Sequence, residues 1–185
     1  MGFWENREVP ESLYARYVRN NSPIWISNFV AQGFVNGTTV EDFLIYLYEC
    51  ITRYTPSGAD LNVHGKLAEA KSTSIHADGH GKWQHIEPAH EWDFLLLVRV
   101  EYESIEIYLM CRKDFEKAQL DGAARIQGQD GVSYEGWWFD PYTKALPYTK
   151  HVASITGPNS EPNEDDGDCV ALKKLIDNCT EGINH

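Results

Sequence analysis

Residues 59–73, ADLNVHGKLAEAKST, contain two short runs in which apolar and polar side chains alternate, separated by Gly65. Alternation with a period of two is typical of β-strands, and a glycine between two such runs indicates a tight turn. Successive side chains on a strand point to opposite faces, so Glu69 and Lys71 share one face of the second strand. If the first strand pairs antiparallel with the second, Asp60 reaches that face as well. The sequence therefore predicts a hairpin with two carboxylates and an ammonium group close together.

Helical patterns precede this hairpin, and strands and helices follow it. The predicted helices cover residues 10–21, 22–35, 38–55, 113–122 and 169–179, and the predicted strands cover residues 59–64, 66–75, 93–102 and 104–112. We expect a short helix or turn at residues 83–92 and mostly loops at residues 123–155. This order favours an α/β (α+β) fold with a mixed central sheet flanked by helices and with extra N-terminal helices.

A chain of 185 residues, 42% of them hydrophobic, has the length and composition of one folded domain. We predict a single domain at residues 1–185, with a helical N-terminal segment at 1–38, a core at 39–120, and a loop-rich part with a C-terminal helix at 121–185. In the N-terminal segment, Trp4, Trp25 and Phe29 suit either a dimer interface or the core of the chain.

The net charge and the spacing of the cysteines limit which classes of protein this sequence can belong to. A formal net charge of −12 argues against a protein that coats nucleic acid, although it leaves room for a local basic cleft. Cys50, Cys111, Cys169 and Cys179 show no CxxC spacing, so we expect free thiols in a reducing cytoplasm. The sequence has no apolar run long enough to cross a bilayer and no signal-peptide pattern at its start. We therefore expect a cytoplasmic location and no membrane partner.

Two carboxylates beside a lysine suit one particular chemistry. Carboxylate oxygens are ligands that Mg²⁺ prefers, and waters and a phosphate complete its octahedral shell. The bound ion polarises the phosphate and lowers the pKa of a water, while a lysine orients the water and offsets negative charge. Asp60, Glu69 and Lys71 are therefore candidate residues for hydrolysis of a phosphate ester, with Asp60 and Glu69 as the metal ligands.

The order of these residues, Asp60 on one strand and Glu-Ala-Lys at positions 69–71 on the next, resembles the PD-(D/E)xK nuclease superfamily. The predicted order of helix, two strands, helix and apolar strand at residues 39–119 is similar to the core of that superfamily. The triplet at 69–71 is the single acid-x-Lys in the sequence, and it falls in the middle of a predicted strand. The sequence departs from the family motif at Ala59, where the motif has proline.

The resemblance implies a DNA-cleaving enzyme, most similar to small type II restriction endonucleases. It implies that Asp60 and Glu69 bind Mg²⁺, for which Mn²⁺ substitutes, and that Lys71 positions the attacking water. It also implies double-stranded DNA as the partner, a 5′-phosphate at the cut, and a homodimer acting on symmetric sites. A methyltransferase partner is compatible with this, but no residue identifies one. The recognition sequence and the cleavage position do not follow from the sequence.

Two further roles follow from the same resemblance. In this superfamily another acid often comes from the helix before the Asp strand, and Glu49 is better placed for that role than Glu41. Related nucleases often carry a glutamine after the ExK strand, which makes Gln84 a candidate catalytic residue that orients a water.

The polar, histidine-rich segment after the ExK strand is expected to face the substrate. Lys82, His85 and His76 are the candidates for contacts with DNA phosphates or base edges. Together with His80 and His90, these histidines have spacings of four and five residues with no cysteine nearby, which does not match a zinc site.

Two alternatives stay open. One is another PD-(D/E)xK nuclease, such as a junction resolvase or a repair or phage-defence nuclease. The other is a non-catalytic α/β interaction protein, in which Asp60, Glu69 and Lys71 form a cluster of surface salt bridges. In that second case, replacing any one of the three by alanine would change stability by under about 1 kcal/mol.

Overall fold

A computed structural model describes residues 11–33, 39–56, 58–76, 78–128, 135–140, 144–157 and 167–180 of this protein. The helices are α1 (Glu11–Arg19), α2 (Ile24–Gly33), α3 (Thr39–Leu47), α4 (Arg112–Leu120) and α5 (Gly167–Thr180), with a short 3-10 helix at Leu146–Tyr148. The strands are β1 (Ile51–Arg53), β2 (Leu61–Val63), β3 (Lys66–Ser74), β4 (Trp83–Ile86), β5 (Phe94–Val100), β6 (Ile105–Cys111), β7 (Arg125–Ile126), β8 (Trp137–Phe139) and β9 (Lys150–Ile155).

Six strands form the central sheet in the order β1-β2-β3-β5-β6-β9. Neighbouring strands run antiparallel, except for the parallel pair β3 and β5. A parallel pair needs a crossover connection, which the segment containing β4 provides. The sequence of β5, FLLLVRV, is buried except at Arg99, as expected for a strand covered on both faces.

One face of the central sheet packs against α1, α2, α3 and α5. Alternate residues of β5, namely Phe94, Leu96 and Val98, belong to this layer of the core. The helices contribute buried side chains to the same layer: Tyr17, Ile26, Phe29, Phe43, Leu44, Leu172 and Ile176. Burial of each large apolar side chain stabilises the fold by about 1.5–3 kcal/mol, so the four helices are held to the sheet mainly by this layer.

The opposite face packs against α4 and a second sheet with the strand order β4-β8-β7. This layer contains Leu95 and Leu97 of β5 with the buried rings of Trp83, Trp92, Phe115 and Phe139. The Phe115 ring meets the rings of Trp92 and Phe139 edge to face at centroid distances of 5.5 and 5.4 Å. Helices therefore lie on both faces of the central sheet, and the predicted mixed sheet flanked by helices is confirmed.

The N-terminal segment contains the predicted helices, and its aromatic residues belong to the core. Trp25 is 5% exposed and Phe29 is 2% exposed. The Phe29 ring packs against Phe43 of α3 at 4.7 Å. Of the two possibilities left open by the sequence, the structure therefore places Trp25 and Phe29 in the core of the chain, whereas Trp4 lies outside the described residues.

Three sequence-based assignments of secondary structure are wrong. The helix predicted at residues 38–55 ends at Leu47, because the chain then forms β1 and pairs with β2. The segment 83–92 begins with strand β4, paired with β8, rather than with a helix or turn. The segment 123–155 contains β7, β8 and β9, and β9 extends the central sheet beside β6. Each missed strand is short or pairs with a partner distant in sequence, which local periodicity does not reveal.

The prediction of four free thiols is also wrong. Cys50 forms a disulfide with Cys169, and Cys111 forms one with Cys179, with Cα–Cα distances of 5.9 and 5.4 Å. Both bonds attach α5 to the rest of the fold, one at the turn before β1 and the other at the end of β6. The partners are separated by 119 and 68 residues in sequence, so no short sequence motif indicates which cysteines pair. The free-thiol argument for a cytoplasmic location is thereby removed, and that location stays a prediction.

The longest helix of the described residues, α5, has 14 residues. A helix needs about 20 predominantly apolar residues to cross a bilayer. Within the described part of the chain, no helix has both the length and the apolar character for a membrane span.

Candidate active-site cleft

A cleft of about 590 Å³ lies between the start of α3, the β2–β3 hairpin and the segment that leads into β4. That volume falls in the range of about 300–1,000 Å³ that is typical of ligand sites. Six of the eight residues singled out from the sequence line this cleft: Asp60, Lys71, His76, Lys82, Gln84 and His85. The other two, Glu69 and Glu49, do not line it. Two of the three hairpin residues, Asp60 and Lys71, therefore lie at a concave site.

The hairpin has the geometry that the sequence predicts. Gly65 has a positive φ of +80°, which the tight turn requires, and Leu61 pairs antiparallel with Ala68. Extending this register by one residue places Asp60 opposite Glu69, and the Asp60 N–H donates a hydrogen bond to the Ala68 carbonyl at 3.0 Å. Residues directly opposite in an antiparallel pair share a face of the sheet. The backbone register therefore places Asp60 and Glu69 on one face of the sheet, as expected from the alternation.

The Asp60 carboxylate is anchored to the next strand. Its Oδ2 atom accepts a hydrogen bond of 2.8 Å from the backbone N–H of Ala70, the residue between Glu69 and Lys71. The Asp60 side chain is half-buried and lines the cleft. Because the bond fixes one carboxylate oxygen against β3, the position of Asp60 relative to the acid and the lysine of β3 is set by the backbone.

Glu69 is a buried acid that is only partly paired. The residue is 3% exposed, and its Oε1 atom lies 2.7 Å from the Nζ atom of Lys71. The other oxygen, Oε2, lies 3.6 Å from Nδ1 of His90 and makes no hydrogen bond. Burying an incompletely paired carboxylate costs free energy. The unpaired oxygen therefore marks Glu69 as a residue whose position is not explained by packing alone.

A further acid reaches the cleft from α3, and it is Glu41. Burial raises the pKa of Glu41, the nearby charge of Asp60 raises it further, and the Arg53 guanidinium opposes both effects. Arg53 bonds to Glu41 and also to Asp42. Glu49 instead lies exposed in the turn between α3 and β1. Because α3 ends at Leu47, Glu49 is not on the helix from which the sequence argument placed it, and its role as a metal ligand stays a prediction.

The segment after β3 folds back onto that strand through Thr73. The buried Oγ1 atom of Thr73 accepts a hydrogen bond of 2.8 Å from the Lys82 N–H. Gly81 is required here because a Cβ atom would lie 2.6 Å from Thr73 Oγ1. This contact holds His76 and Lys82 at the cleft.

The two basic residues of this segment have different surroundings. Burial lowers the pKa of His76, although the charge of Asp78 opposes this effect. The Lys82 ammonium lies 4.6 Å from the centre of the Trp138 ring.

Gln84 and His85 reach the cleft from a bulge in β4. The pairing of β4 with β8 shifts register between Trp83 and Ile86, and His85 has a positive φ of +57°. A bulge re-aims side chains, and a non-glycine residue in the left-handed region is uncommon. Gln84 is half-buried, whereas His85 is exposed. The sequence identified both residues but assigned them to a helix or turn.

The donor set fits a divalent cation bound mainly by oxygen. In the described part of the chain, no three His, Cys, Asp or Glu side chains are arranged to hold a metal ion. Mg²⁺ is usually bound through one or two carboxylates while waters and substrate phosphate complete its shell. Asp60 and Glu69 supply two carboxylates, and the unpaired Oε2 atom of Glu69 is an oxygen of the kind that such an ion would satisfy.

Comparisons with known proteins leave the family open. No protein-family model matches the sequence, and no curated protein matches it. Among solved structures, one similar chain is a restriction endonuclease in complex with substrate DNA, with a TM-score of 0.42 and 15% sequence identity, covering 80% of this chain and 81% of that chain. A TM-score of this size establishes neither a family nor an activity for this chain.

Proposed function

We propose that this protein is a metal-dependent endonuclease that hydrolyses phosphodiester bonds of DNA. The observation that carries the proposal is that Asp60 and Lys71 line a cleft while the buried Glu69 lies opposite Asp60 and pairs with Lys71. A cluster of ordinary surface charges would be solvated, whereas the side chain of Glu69 is 4% exposed and that of Lys71 is 22% exposed. Incompletely paired buried acids beside a cleft are typical of functional sites.

Asp60 and the buried Glu69 are the residues that would hold a Mg²⁺ or Mn²⁺ ion, and Glu41 is a second acid that lines the cleft beside Asp60. The chemistry that such an ion would supply when bound is polarisation of a phosphate oxygen and a lower pKa for a water. Burial is the main cause of the raised pKa of Glu41, and the charge of Asp60 adds to it; a cation bound between the two acids would relieve that second effect.

Lys71 would supply fixed positive charge at the reacting phosphate. Its ammonium group is held by Glu69 and lines the cleft, so it would orient the attacking water and offset the charge that develops on phosphorus. The oxygen of the water would form a bond to phosphorus while the bond from phosphorus to the 3′ oxygen breaks and that oxygen takes up a proton. The products would be a 5′-phosphate and a 3′-hydroxyl.

The opposite wall of the cleft would bind the substrate. Lys82 and His76 would contact backbone phosphates, because an ammonium group and an imidazole face the same cavity as the reacting groups. Gln84 and His85 carry the donors and acceptors that recognise polar groups of DNA. A wall that carries the Lys82 ammonium within a chain of net charge −12 suits a protein that binds DNA weakly outside its target.

The finer parts of the proposal concern the type of nuclease. Sequence-specific cleavage of double-stranded DNA by a homodimer is what the resemblance of Asp60 and the Glu-x-Lys triplet to small type II restriction endonucleases implies. Action on cellular DNA favours a cytoplasmic location. In that reducing compartment burial would shield the disulfide of Cys111 and Cys179, each 1% exposed, but not the half-buried one of Cys50 and Cys169.

Cleavage of a supercoiled plasmid in Mg²⁺ tests the proposed function. We expect the wild-type chain to nick or linearise the plasmid and D60N, E69Q and K71M to leave it intact while their circular dichroism stays native. E103Q is the matched control, because Glu103 is an exposed acid in the turn between β5 and β6, and it should cleave normally. Discrete fragments would support a restriction endonuclease, whereas random degradation or cleavage of branched DNA alone would support another nuclease of the superfamily.

The alternative of a non-catalytic interaction protein makes the opposite prediction. In that case neither duplex nor branched DNA is cut in Mg²⁺ or Mn²⁺, and calorimetry detects no binding of either ion. Those two results together would exclude the nuclease.

A further inference from the structure

The side chain of Gln84 is held by Gln127, which is itself bonded to Glu135; the two residues flank the strands of the second sheet. Gln127 follows β7, and Glu135 precedes β8. The Nε2 atom of Gln127 lies 3.0 Å from Oε1 of Gln84 and 3.1 Å from Oε2 of Glu135. The Oε1 atom of Gln127 accepts a hydrogen bond of 3.3 Å from the backbone N–H of His85. Gln127 therefore connects the bulge of β4 to the strand beside it.

The partners of Gln127 leave only one orientation for its amide. A backbone N–H only donates, so the atom of Gln127 that faces His85 must be the oxygen. A carboxylate only accepts, so the atom that faces Glu135 must be the nitrogen. The same nitrogen faces Gln84, which must therefore present its own oxygen to Gln127. The His85 N–H, which only donates, and the Glu135 carboxylate, which only accepts, thus determine the orientation of the Gln127 and Gln84 amides.

The consequence lies at the cleft. With the Oε1 atom of Gln84 bonded to Gln127, its amide nitrogen is left as the free end of a side chain that lines the cavity. Within the described residues, that nitrogen has no hydrogen-bond partner. Gln84 therefore lines the cleft with two N–H donors that have no partner among the described residues, while its oxygen is already bonded to Gln127.

We infer that Gln84 is a substrate-binding residue that donates hydrogen bonds to an acceptor atom of the nucleic acid, and that Gln127 and Glu135 are positioning residues that hold it in this polarity. The inference rests on the proposed function for the identity of the substrate. It adds to the role expected for Gln84 from the sequence, which was to orient a water, because N–H donors also bind acceptor atoms of a substrate. The acceptor is a phosphate oxygen or a base-edge acceptor.

The backbone around these residues is closely packed, which suits a rigid support. Gly136 has a positive φ of +86°, and a Cβ atom there would lie 2.9 Å from the carbonyl oxygen of Ile86. The Nδ1 atom of His85 lies 3.2 Å from the carbonyl oxygen of Glu135 and must donate to it. These contacts join the bulge to the strand at both residues that line the cleft.

Exchanging the two positioning residues tests the inference without changing charge or removing a hydrogen-bonding group. In the double variant Q127E/E135Q, the carboxylate at 127 accepts from the His85 N–H and from the new amide at 135. It also repels the Gln84 oxygen, so Gln84 turns and presents that oxygen to the cleft. In a D60N background, which prevents cleavage, we expect the exchange to weaken binding of duplex DNA about tenfold, the effect of losing roughly one hydrogen bond of 1.4 kcal/mol.

Two DNA probes separate the possible acceptors. One duplex carries the site at which the wild-type chain cuts a plasmid, and the other lacks it. Equal weakening on both duplexes assigns the acceptor to phosphate, and weakening on the cleavable duplex alone assigns it to a base edge. Binding equal to that of the D60N parent on both probes would overturn the inference.

A variant without the Gln84 amide shows whether the exchange acts through Gln84 or through a general disturbance of the cleft wall. In a D60N/Q84L background the exchange Q127E/E135Q should cause no further loss of affinity, because the side chain that it reorients is absent. If the exchange weakens binding as much without Gln84 as with it, Gln127 and Glu135 act on the wall of the cleft in general and the inference is wrong.

The orientation itself has a readout that does not depend on DNA. In the free protein, the side-chain amide protons of Gln127 should exchange slowly with solvent and those of Gln84 quickly, as followed by nuclear magnetic resonance. In Q127E/E135Q the Gln84 protons should become protected. Slow exchange at Gln84 in the parent would overturn the inference even if the chain cleaves DNA. Native exchange behaviour in a chain that neither binds nor cuts DNA would instead reject the proposed function, and the substrate role of Gln84 with it.

Discussion

Glu69 and Lys71 form an ion pair at 2.7 Å through Oε1 and Nζ, while the second oxygen of Glu69 is buried without a hydrogen bond. Alternation along β3 puts the two side chains on one face, and burial removes most of the solvent that would screen their charges. One oxygen of Glu69 is therefore paired with Lys71, while the other lies 3.6 Å from Nδ1 of His90 without a hydrogen bond and is the oxygen that the proposed metal site would use.

Removing the lysine is expected to destabilise the protein at neutral pH. K71M leaves a buried carboxylate without its partner, which should lower the free energy of unfolding by about 2 kcal/mol. Urea denaturation measures this change, and the double variant E69Q/K71M should recover part of it because the uncompensated charge is gone. A change under about 1 kcal/mol for K71M would favour the solvated surface cluster of the non-catalytic alternative.

Glu41 and Glu49 are expected to differ in their effect on cation binding. E41Q should weaken Mn²⁺ binding and plasmid cleavage several-fold, because Glu41 lines the cleft and interacts with Asp60. E49Q should leave both unchanged, because Glu49 is exposed in the turn after α3. Titration calorimetry with Mn²⁺ compares the two variants. Equal affinity for E41Q and the wild type, with a loss for E49Q, would restore the assignment made from the sequence.

The acid stability of the central sheet should depend on Glu106. Burial raises the pKa of Glu106, but hydrogen bonds from Ser104, Ser154 and His151 outweigh that effect and hold the pKa below its ordinary value. The charged form is therefore favoured by folding, so its contribution is present above the unfolded pKa of Glu and is lost as the pH falls through the lower folded pKa.

Comparing E106Q with the wild type checks this dependence. Chemical denaturation at pH 7 should find E106Q less stable, and the difference should disappear in strong acid. E103Q provides the control in the adjacent turn, where the acid is exposed, and should show no difference at either pH. A deficit of E106Q that persists unchanged in strong acid would mean that the Glu106 charge does not contribute.

The two disulfides should contribute to stability through α5. C111S/C179S and C50S/C169S are each expected to lower the free energy of unfolding by about 2–4 kcal/mol, because each bond closes a long loop in the unfolded chain. Guanidinium denaturation of the two variants measures the loss. Intact mass before and after reduction is the control for bond formation. Four titratable thiols in protein that was purified without a reductant would contradict the pairing.

The sequence predicts much of the site because a strand imposes a simple period. Glu69 and Lys71 had to share a face once β3 was identified, and the turn at Gly65 set the register that brings Asp60 opposite Glu69. The strand β5 was equally apparent from its apolar run, FLLLVRV. These features depend on residues that are close in sequence, so local pattern was sufficient.

Other features depend on contacts between distant residues, which local pattern does not contain. The end of α3 is set by the pairing of β1 with β2, and this pairing decides that Glu41 rather than Glu49 reaches the cleft. The contact between Gln84 and Gln127 spans 43 residues and needs the bulge of β4. The cysteine pairs are still further apart, and their pairing depends on where α5 packs.

The most direct test of the central claim is a crystal structure of the chain soaked in Mn²⁺, with anomalous scattering recorded at the manganese edge. We expect an anomalous peak bonded to one carboxylate oxygen of Asp60 and to Oε2 of Glu69, and no such peak in D60N crystals treated in the same way. Strong peaks elsewhere with none between Asp60 and Glu69, or an unchanged peak in D60N, would contradict a shared metal site.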